Sequence, residues 1–423
     1  MHKYTEVYKK YLIFILALYV YFGKGIAYSF LAEIMLFWGI FFLIYERHKI
    51  RLSTNIRFLI ILFFLFINLF YLIRGCFYYP LIDVIRDSFI LNYIIFSLLV
   101  FLYSNNLKEI LTYLFKIYKY FPFVLSILYI FSLNKYFGNI SIFGNIHLLY
   151  FKFGDILVHL YVSVIFYLSG HYSFNKKVNI LYITSTVFLF FISSSYSRGG
   201  MLSFILAICV FLLLNKNTNI KTNFKAFVRY LIVSLVLIIP LIMILPKDEN
   251  FQGRKAGLDQ ITTNVTSIVS DDDQGSLSDN KLWRLLWWAK IIDYTFGGEY
   301  FLTGKGLGLS LAQDDDIDFE SNDSDLRSPH NYHLSILARY GVPIFFIWVI
   351  WIILTFKRLR SKTLIPFALI LITIQIAFIF NATFDVFLEG PMGAFPFWVF
   401  VGIDFLTEIY QTEEKYQLND III

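Results

Sequence analysis

The chain has 423 residues, of which 58% are hydrophobic, 20% aromatic and only 16% charged, with a mean hydropathy of +0.65. A water-soluble fold of this length needs a far more charged exterior, so a soluble domain is excluded and a polytopic integral membrane protein is expected. The formal charge of +6 is then a question of which side the charges lie on, not a signal for nucleic acid.

Lys3, Lys9 and Lys10 precede the first apolar run, and no small-residue cleavage site follows it, so the N-terminus reads as an uncleaved first span. Apolar runs of about 17–22 residues match a hydrocarbon core of roughly 30 Å. They place spans near 11–23, 26–45, 57–73, 88–104, 120–134, 153–170, 178–194, 199–215, 228–246, 333–355, 363–381 and 392–408. The expected fold is therefore an all-α integral membrane protein of about twelve transmembrane helices, with one large external loop before the last three. Residues 1–245 form an N-terminal bundle of about nine spans, 246–332 the loop, and 333–423 the last spans and a tail. Cys76 and Cys209 are isolated and suggest neither a disulfide framework nor a metal site.

Charge orients these spans. The N-terminus, Glu46–Arg57, Asn105–Lys119, His171–Lys177, Lys216–Arg229 and Lys357–Lys362 are short and basic, and all fall on one side if every span crosses. The positive-inside rule makes that side cytoplasmic, with both termini there. Arg74–Asp87, Leu133–Lys152, Ser193–Gly200, the long loop and Asn381–Gly393 fall on the other side. Sixteen of the thirty acidic residues are in the long loop, which agrees with an external position.

Four stretches carry candidate chemistry. Arg198 stands in the turn Ser193–Gly200, at a membrane edge; it is either a topological anchor or an anion-binding group, since its planar fork suits phosphate oxygens. Within the loop, Lys281–Tyr294 reads as a helix bearing Trp283, Arg284, Trp287, Trp288 and Lys290. Such a helix lies on the membrane surface or offers indole faces to carbohydrate. Gly304-Lys305-Gly306-Leu307-Gly308 lacks the Gly-Lys-Ser/Thr ending of a phosphate loop and reads as a flexible turn. His330 is a candidate proton acceptor near neutral pH or a helix-capping residue; His330 and His333 are spaced to share a helix face, without a third metal ligand. The runs Asp271–Asp273 and Asp314–Asp316 read as solvated, mobile acidic loop without calcium-loop spacing.

Ser197-Arg198-Gly199-Gly200 opening a span, Arg284 near Trp288, Gly304–Gly308, and His330-Asn331 followed by Leu334, Leu337 and Gly341 together resemble the O-antigen ligase/polymerase superfamily. Its members are bacterial multispanning glycosyltransferases with a large periplasmic loop near the C-terminal end. The resemblance covers roughly Ser193 to Gly341 in motif and the rest in hydropathy only, and the loop's acidic content matches no family pattern. It implies transfer of a glycan from an undecaprenyl diphosphate-linked donor to an acceptor sugar hydroxyl, at the outer face of the bacterial inner membrane, with inversion and with neither metal nor cofactor. By the same resemblance Arg198 and Arg284 engage the diphosphate and His330 faces the acceptor hydroxyl. Arg74, Arg86, Lys152, Lys305 and Arg339 are further candidates for the headgroup, Asn331 for substrate contact, and Asp385 for orienting His330 or an arginine.

The acceptor is another lipid-linked repeat unit in a polymerase, the favoured reading, or lipid A-core in a ligase. Membrane lipids and a chain-length regulator protein are the other implied partners, and no nucleic acid is expected. A lipid-linked oligosaccharide flippase shares the span count but calls for related halves or charged inner spans. A polyprenyl monophosphate-dependent transferase would draw on an early external carboxylate, Asp83 or Asp87.

Overall fold

The computed structural model describes residues 2–49, 55–143, 146–215, 218–244, 257, 260–262, 264, 276–317 and 326–412. The loop opening at Pro246–Asp248, the acidic run Asp271–Asp273 and the tail beyond 412 lie outside the described residues. The longer helices are α1 (His2–Phe22), α2 (Leu31–Tyr45), α3 (Ile56–Cys76), α4 (Leu81–Asn92), α5 (Ile95–Phe101), α6 (Leu107–Ser132), α7 (Phe153–Leu168), α8 (Lys176–Tyr196), α9 (Arg198–Leu214) and α10 (Thr218–Ile244). After these come α11 (Ser276–Ile292), α12 (Tyr332–Lys357), α13 (Pro366–Asn381) and α14 (Pro391–Thr412). A two-stranded hairpin, Ser141–Phe143 with Ile146–His147, is the strand structure among the described residues.

Among the described residues, five helices are long and apolar enough to cross a membrane on their own: α3, α6, α8, α12 and α14; α4 and α5, bent by 53° at their junction, make a sixth if taken as one span. Helices α2, α7, α9 and α13 are apolar but shorter. The 16 residues of α7 cover about 24 Å, less than the hydrocarbon core. The expected count of about twelve thus exceeds what helix length alone supports. Two expected boundaries move. The second span starts at Leu31, after a short turn of helix at Lys24–Ala27. The chain around Asp83 and Asp87, expected as external loop, is the helix α4.

Helices α7, α13 and α14 form the centre. In α7 every residue from Gly154 to Leu168 is buried, as fits a helix apolar all round. Within the apolar windows, α14 is 89% buried and α3 only 39%, so α14 is interior and α3 peripheral. α13 packs against α7, α9 and α14, and α6 and α8 enclose α7 from outside. Asn55, Asn175, Ser197 and Asn331 cap the starts of α3, α8, α9 and α12 by accepting backbone N–H groups with their side chains. At one end of the bundle Arg57 and Arg358 pair with the buried Asp404, and Arg57 also reaches Glu408. The candidate site lies at the other end, where α7, α9 and α12 begin and α13 stops.

Helix α12 is broken near its start, and the break anchors the loop. Gly341 has φ 80° and ψ 178°, and Pro343 has no N–H. An unbroken helix would bond Val342 N to Ala338 O and would use Arg339 O four residues before position 343. Here Val342 N donates to Phe301 O at 2.8 Å, while Lys305 N and Gly306 N donate to Ala338 O and Arg339 O at 2.8 and 3.0 Å. The glycine-rich run is thus spliced into the helix rather than flexible. Gly304, at φ 56°, has no room for a side chain: an added Cβ would lie 2.4 Å from the backbone carbon of Arg339.

Candidate active site

Each candidate residue owes its position to an element end. Ser197 caps α9 by accepting from Gly200 N at 3.1 Å, which puts Arg198 in the first turn. Gly199 and Gly200 let this turn close on its neighbours: a Cβ at Gly199 would lie 2.7 Å from Phe384, and one at Gly200 2.7 Å from Gly154 of α7. The turn between α13 and α14 is therefore wedged against the start of α9. From the loop side, Arg284 on α11 donates to Phe384 O at 3.2 Å and stacks on Trp283 at 5.3 Å. Trp287, fully buried, packs α11 against Leu337, Ala338 and Val342 of α12 and so fixes that reach. Trp288 Nε1 donates to Pro329 O at 2.8 Å, one residue before His330.

His330 has φ 53°, a left-handed conformation that non-glycine residues adopt at a cost of about 1 kcal/mol or more. Its ring meets Trp283 edge-on at 6.0 Å, and its Nδ1 is 3.7 Å from Asp385 Oδ1, longer than a hydrogen bond but close enough for an ion pair once the ring is protonated. On the same carboxylate oxygen, Lys152 Nζ makes an ion pair at 2.6 Å. Arg284, His330 and Lys152 thus meet at the turn between α13 and α14 that carries Asp385, and Arg198, in the adjoining first turn of α9, lies close enough for its charge to act on Arg284. A second carboxylate on that turn, Glu389, accepts from Ser335 Oγ of α12 at 2.5 Å.

The electrostatics of this cluster favour an incoming anion. Burial, together with the nearby charge of Arg198, pushes the Arg284 guanidinium below its ordinary value, against the pull of Asp385. Arg284 Nε is also buried without a hydrogen-bond partner. Burial alone would raise Asp385, but Lys152 and His330 outweigh it and hold the carboxyl well below the usual carboxylate range. Burial alone would lower Lys152, and Asp385 and Asp155 reverse that.

Glu389 goes the other way: burial raises its carboxyl above the ordinary value, and the Ser335 and Ser328 hydroxyls only partly offset this. A folded-state pKa above the unfolded one gives stability at low pH that is lost as pH rises through the folded value. Glu389→Gln keeps an acceptor for Ser335 and removes that loss. Its melting temperature relative to the wild type is expected to climb as pH is raised from about 4 to 8; a difference independent of pH would contradict the assignment.

Other expected site residues are held elsewhere. Arg339 is buried against Asp87 at 2.9 Å and donates to Gly306 O. Asp87 also accepts from Gly308 N at 2.9 Å and pairs with Arg327 at 3.3 Å, while Arg86 pairs with Asp83. Lys305 pairs with Asp314 at 2.5 Å and Asp315 at 2.6 Å, over the ring of Tyr294. Arg74 lies 6.0 Å over the Tyr71 ring. Asn331 caps α12, its Oδ1 accepting from His333 N and Leu334 N.

In the run Asp314–Asp316, Asp314 and Asp316 are exposed as expected, and Asp315 departs from the solvated-loop reading. Asp315 is fully buried and also accepts from Trp287 Nε1 at 2.7 Å, so it is a structural anchor and not solvated loop. His333 shares no open face with His330: its Nδ1 accepts from Trp348 Nε1 at 2.9 Å, and its Nε2 lies 3.2 Å from Ile379 O. Asp155, Asn381 and Glu389 were missed. Each is an ordinary polar residue at the edge of an apolar run, and only Asp385 among the acidic residues of the last turn drew notice.

Two arginines, a lysine, an imidazole and a carboxylate thus lie near one another at one end of a largely apolar helical bundle. Residues 183–349 match the family model described as O-Antigen ligase, which confirms the resemblance to the O-antigen ligase/polymerase superfamily. The matched segment holds Arg198, Arg284 and His330; Lys152, Asp385 and Glu389 complete the cluster from outside it. No curated protein matches the chain.

Proposed function

We propose that the chain is a polysaccharide polymerase that moves a glycan from undecaprenyl diphosphate to a sugar hydroxyl of another lipid-linked repeat unit, at the outer face of the bacterial inner membrane. The observation that supports transfer from a diphosphate-linked donor is the two arginines beside an imidazole–carboxylate pair at one bundle end. Polyprenyl diphosphate is already an activated leaving group. The acceptor oxygen attacks the anomeric carbon as the bond to the diphosphate breaks, so the sugar centre inverts. Arg198 and Arg284 take up the charge that develops on the departing diphosphate. With Nδ1–H turned to Asp385, the Nε2 of His330 is left to accept the hydroxyl proton. The remaining family chemistry, transfer to lipid A-core by a ligase, uses the same donor and the same groups.

The test uses purified full-length protein with an undecaprenyl diphosphate-linked repeat unit as donor, offered the same unit or lipid A-core as acceptor in separate reactions. Elongation on the lipid-linked unit supports the polymerase; product on lipid A-core supports the ligase; neither product overturns both. His330→Asn suits this test because asparagine tolerates a left-handed backbone. It and Arg198→Ala are expected to lower transfer by about 10²-fold or more. Wild-type rates in both variants would remove the catalytic assignment.

A further inference from the structure

Helix α11 is apolar on two opposite faces, and the described residues cover only one of them. The inward face holds Trp287 and Ile291, fully buried against α12 and the loop. Trp283 and Trp288 also turn toward the site, to His330 and Pro329. With its indoles facing inward, the helix leaves its other side to aliphatic residues. At about 100° per residue, Leu282, Leu285, Leu286, Ala289 and Ile292 fall on one arc about 120° wide, across the helix from Trp287. Its four large side chains are 47–62% exposed, and Ala289 is exposed among them. No polar residue between positions 282 and 292 falls on that arc. A face turned to water is polar, so a contiguous apolar one marks a surface that meets lipid or protein.

What adjoins the face decides between the two. Phe296, exposed in the turn Asp293–Gly297 that follows α11, meets Phe346 of α12 edge to face, with ring centroids 6.3 Å apart. Phe346, Ile350 and Ile353 form an outward stripe on α12, each 47–57% exposed. Because α12 is long and apolar enough to cross a membrane, that stripe faces acyl chains. Phe301 and Leu302 are exposed at the same corner, where Val342 N of α12 donates to Phe301 O. We infer that the outward face of α11 is a membrane-docking surface, seated in the acyl region of the leaflet nearer the candidate site. Bilayer lipid is the occupant because the face runs on into a surface that lipid already covers. Docking also holds Arg284, on the same helix, near the headgroup layer, where a lipid-linked substrate carries its charge. That consequence rests on the transfer reading above; the docking itself does not.

The test uses the full-length protein in nanodiscs, one copy per disc, with Cys76→Ser and Cys209→Ser removing the two exposed native thiols. A single cysteine at Leu282→Cys or Leu286→Cys carries an environment-sensitive fluorophore, and Gln313→Cys, at an exposed polar position, is the reference. Lipids bearing a nitroxide high on the acyl chain report depth, since a docked helix sits about 5–10 Å into the headgroup and acyl boundary. Labels at both leucine positions are expected to emit to the blue of the reference and to be quenched about twofold more strongly or better. All three positions are exposed, so the labelled variants are expected to melt with the parent. Quenching at either leucine position no greater than at the reference would overturn the docking. Water-like emission would then mean a face open to solvent, and blue emission a face covered by protein. Glycosyl transfer is not part of the readout, so a failed transfer assay leaves this result standing.

Discussion

Arg284→Ala is expected to lower kcat/KM for transfer from an undecaprenyl diphosphate-linked donor by about 10²–10³-fold, the scale of losing one preorganised donor to a developing anion. Arg284→Lys keeps the charge but loses the planar fork, so it is expected to recover only a small part of that rate. Stability should move the other way. Arg284 is buried near Arg198 with its Nε unpartnered, an arrangement that favours binding over folding. Alanine at this position is therefore expected to leave the melting temperature equal to or above that of the wild type. The paired measurement separates the two roles. A structural arginine would give a lower melting temperature with transfer lost only in proportion, and retained transfer would rule out a headgroup role.

Asp87→Ala is the largest expected effect on stability. Asp87 joins α4 to Gly308, Arg327 and Arg339, and the Arg339 side chain is only 4% exposed. Removing one partner of a buried pair leaves an uncompensated charge and costs about 3–5 kcal/mol. Replacing both is much cheaper, because a long apolar side chain fills the space without needing a counter-charge. The double variant Asp87→Ala/Arg339→Met is expected to recover much of the lost thermal stability in detergent. A single variant that melts like the wild type would show that α4 and the loop are held together by other contacts.

The helices were legible because an apolar run announces itself whatever its neighbours do. Each expected span has a helix at or near its place, and Arg198 stood out because a cation at a tight turn between two such runs needs a reason. Crossing was harder to read. Hydropathy counts apolar residues, whereas a span also needs continuous length, and α2, α7, α9 and α13 fall short of it. Arg284 and His330 take their roles from the resemblance, and Asp385 reads as a partner for His330 or an arginine, with which its position beside His330 agrees. What the sequence could not show is that Lys152, 233 positions before Asp385, pairs with the same carboxylate once the fold closes.

The two misread stretches failed for the same physical reason. Glycine next to lysine reads as a mobile turn, and three aspartates in a row read as solvated, because composition carries no record of distant partners. Gly304–Gly308 is immobilised by carbonyls that a kink has released in α12, and Asp315 by Trp287 and Lys305. Unpaired backbone groups and buried charges find partners wherever the fold puts them.

The interlock between the glycine-rich run and the broken start of α12 bears on how this chain can be recombined with another. A hybrid that exchanges the segment between α10 and α12 must keep Phe301 through Val342 from this chain. A seam at residue 332 would separate the carbonyls of Ala338 and Arg339 from the amides that bond them, whereas a seam beyond Val342 leaves the joint whole.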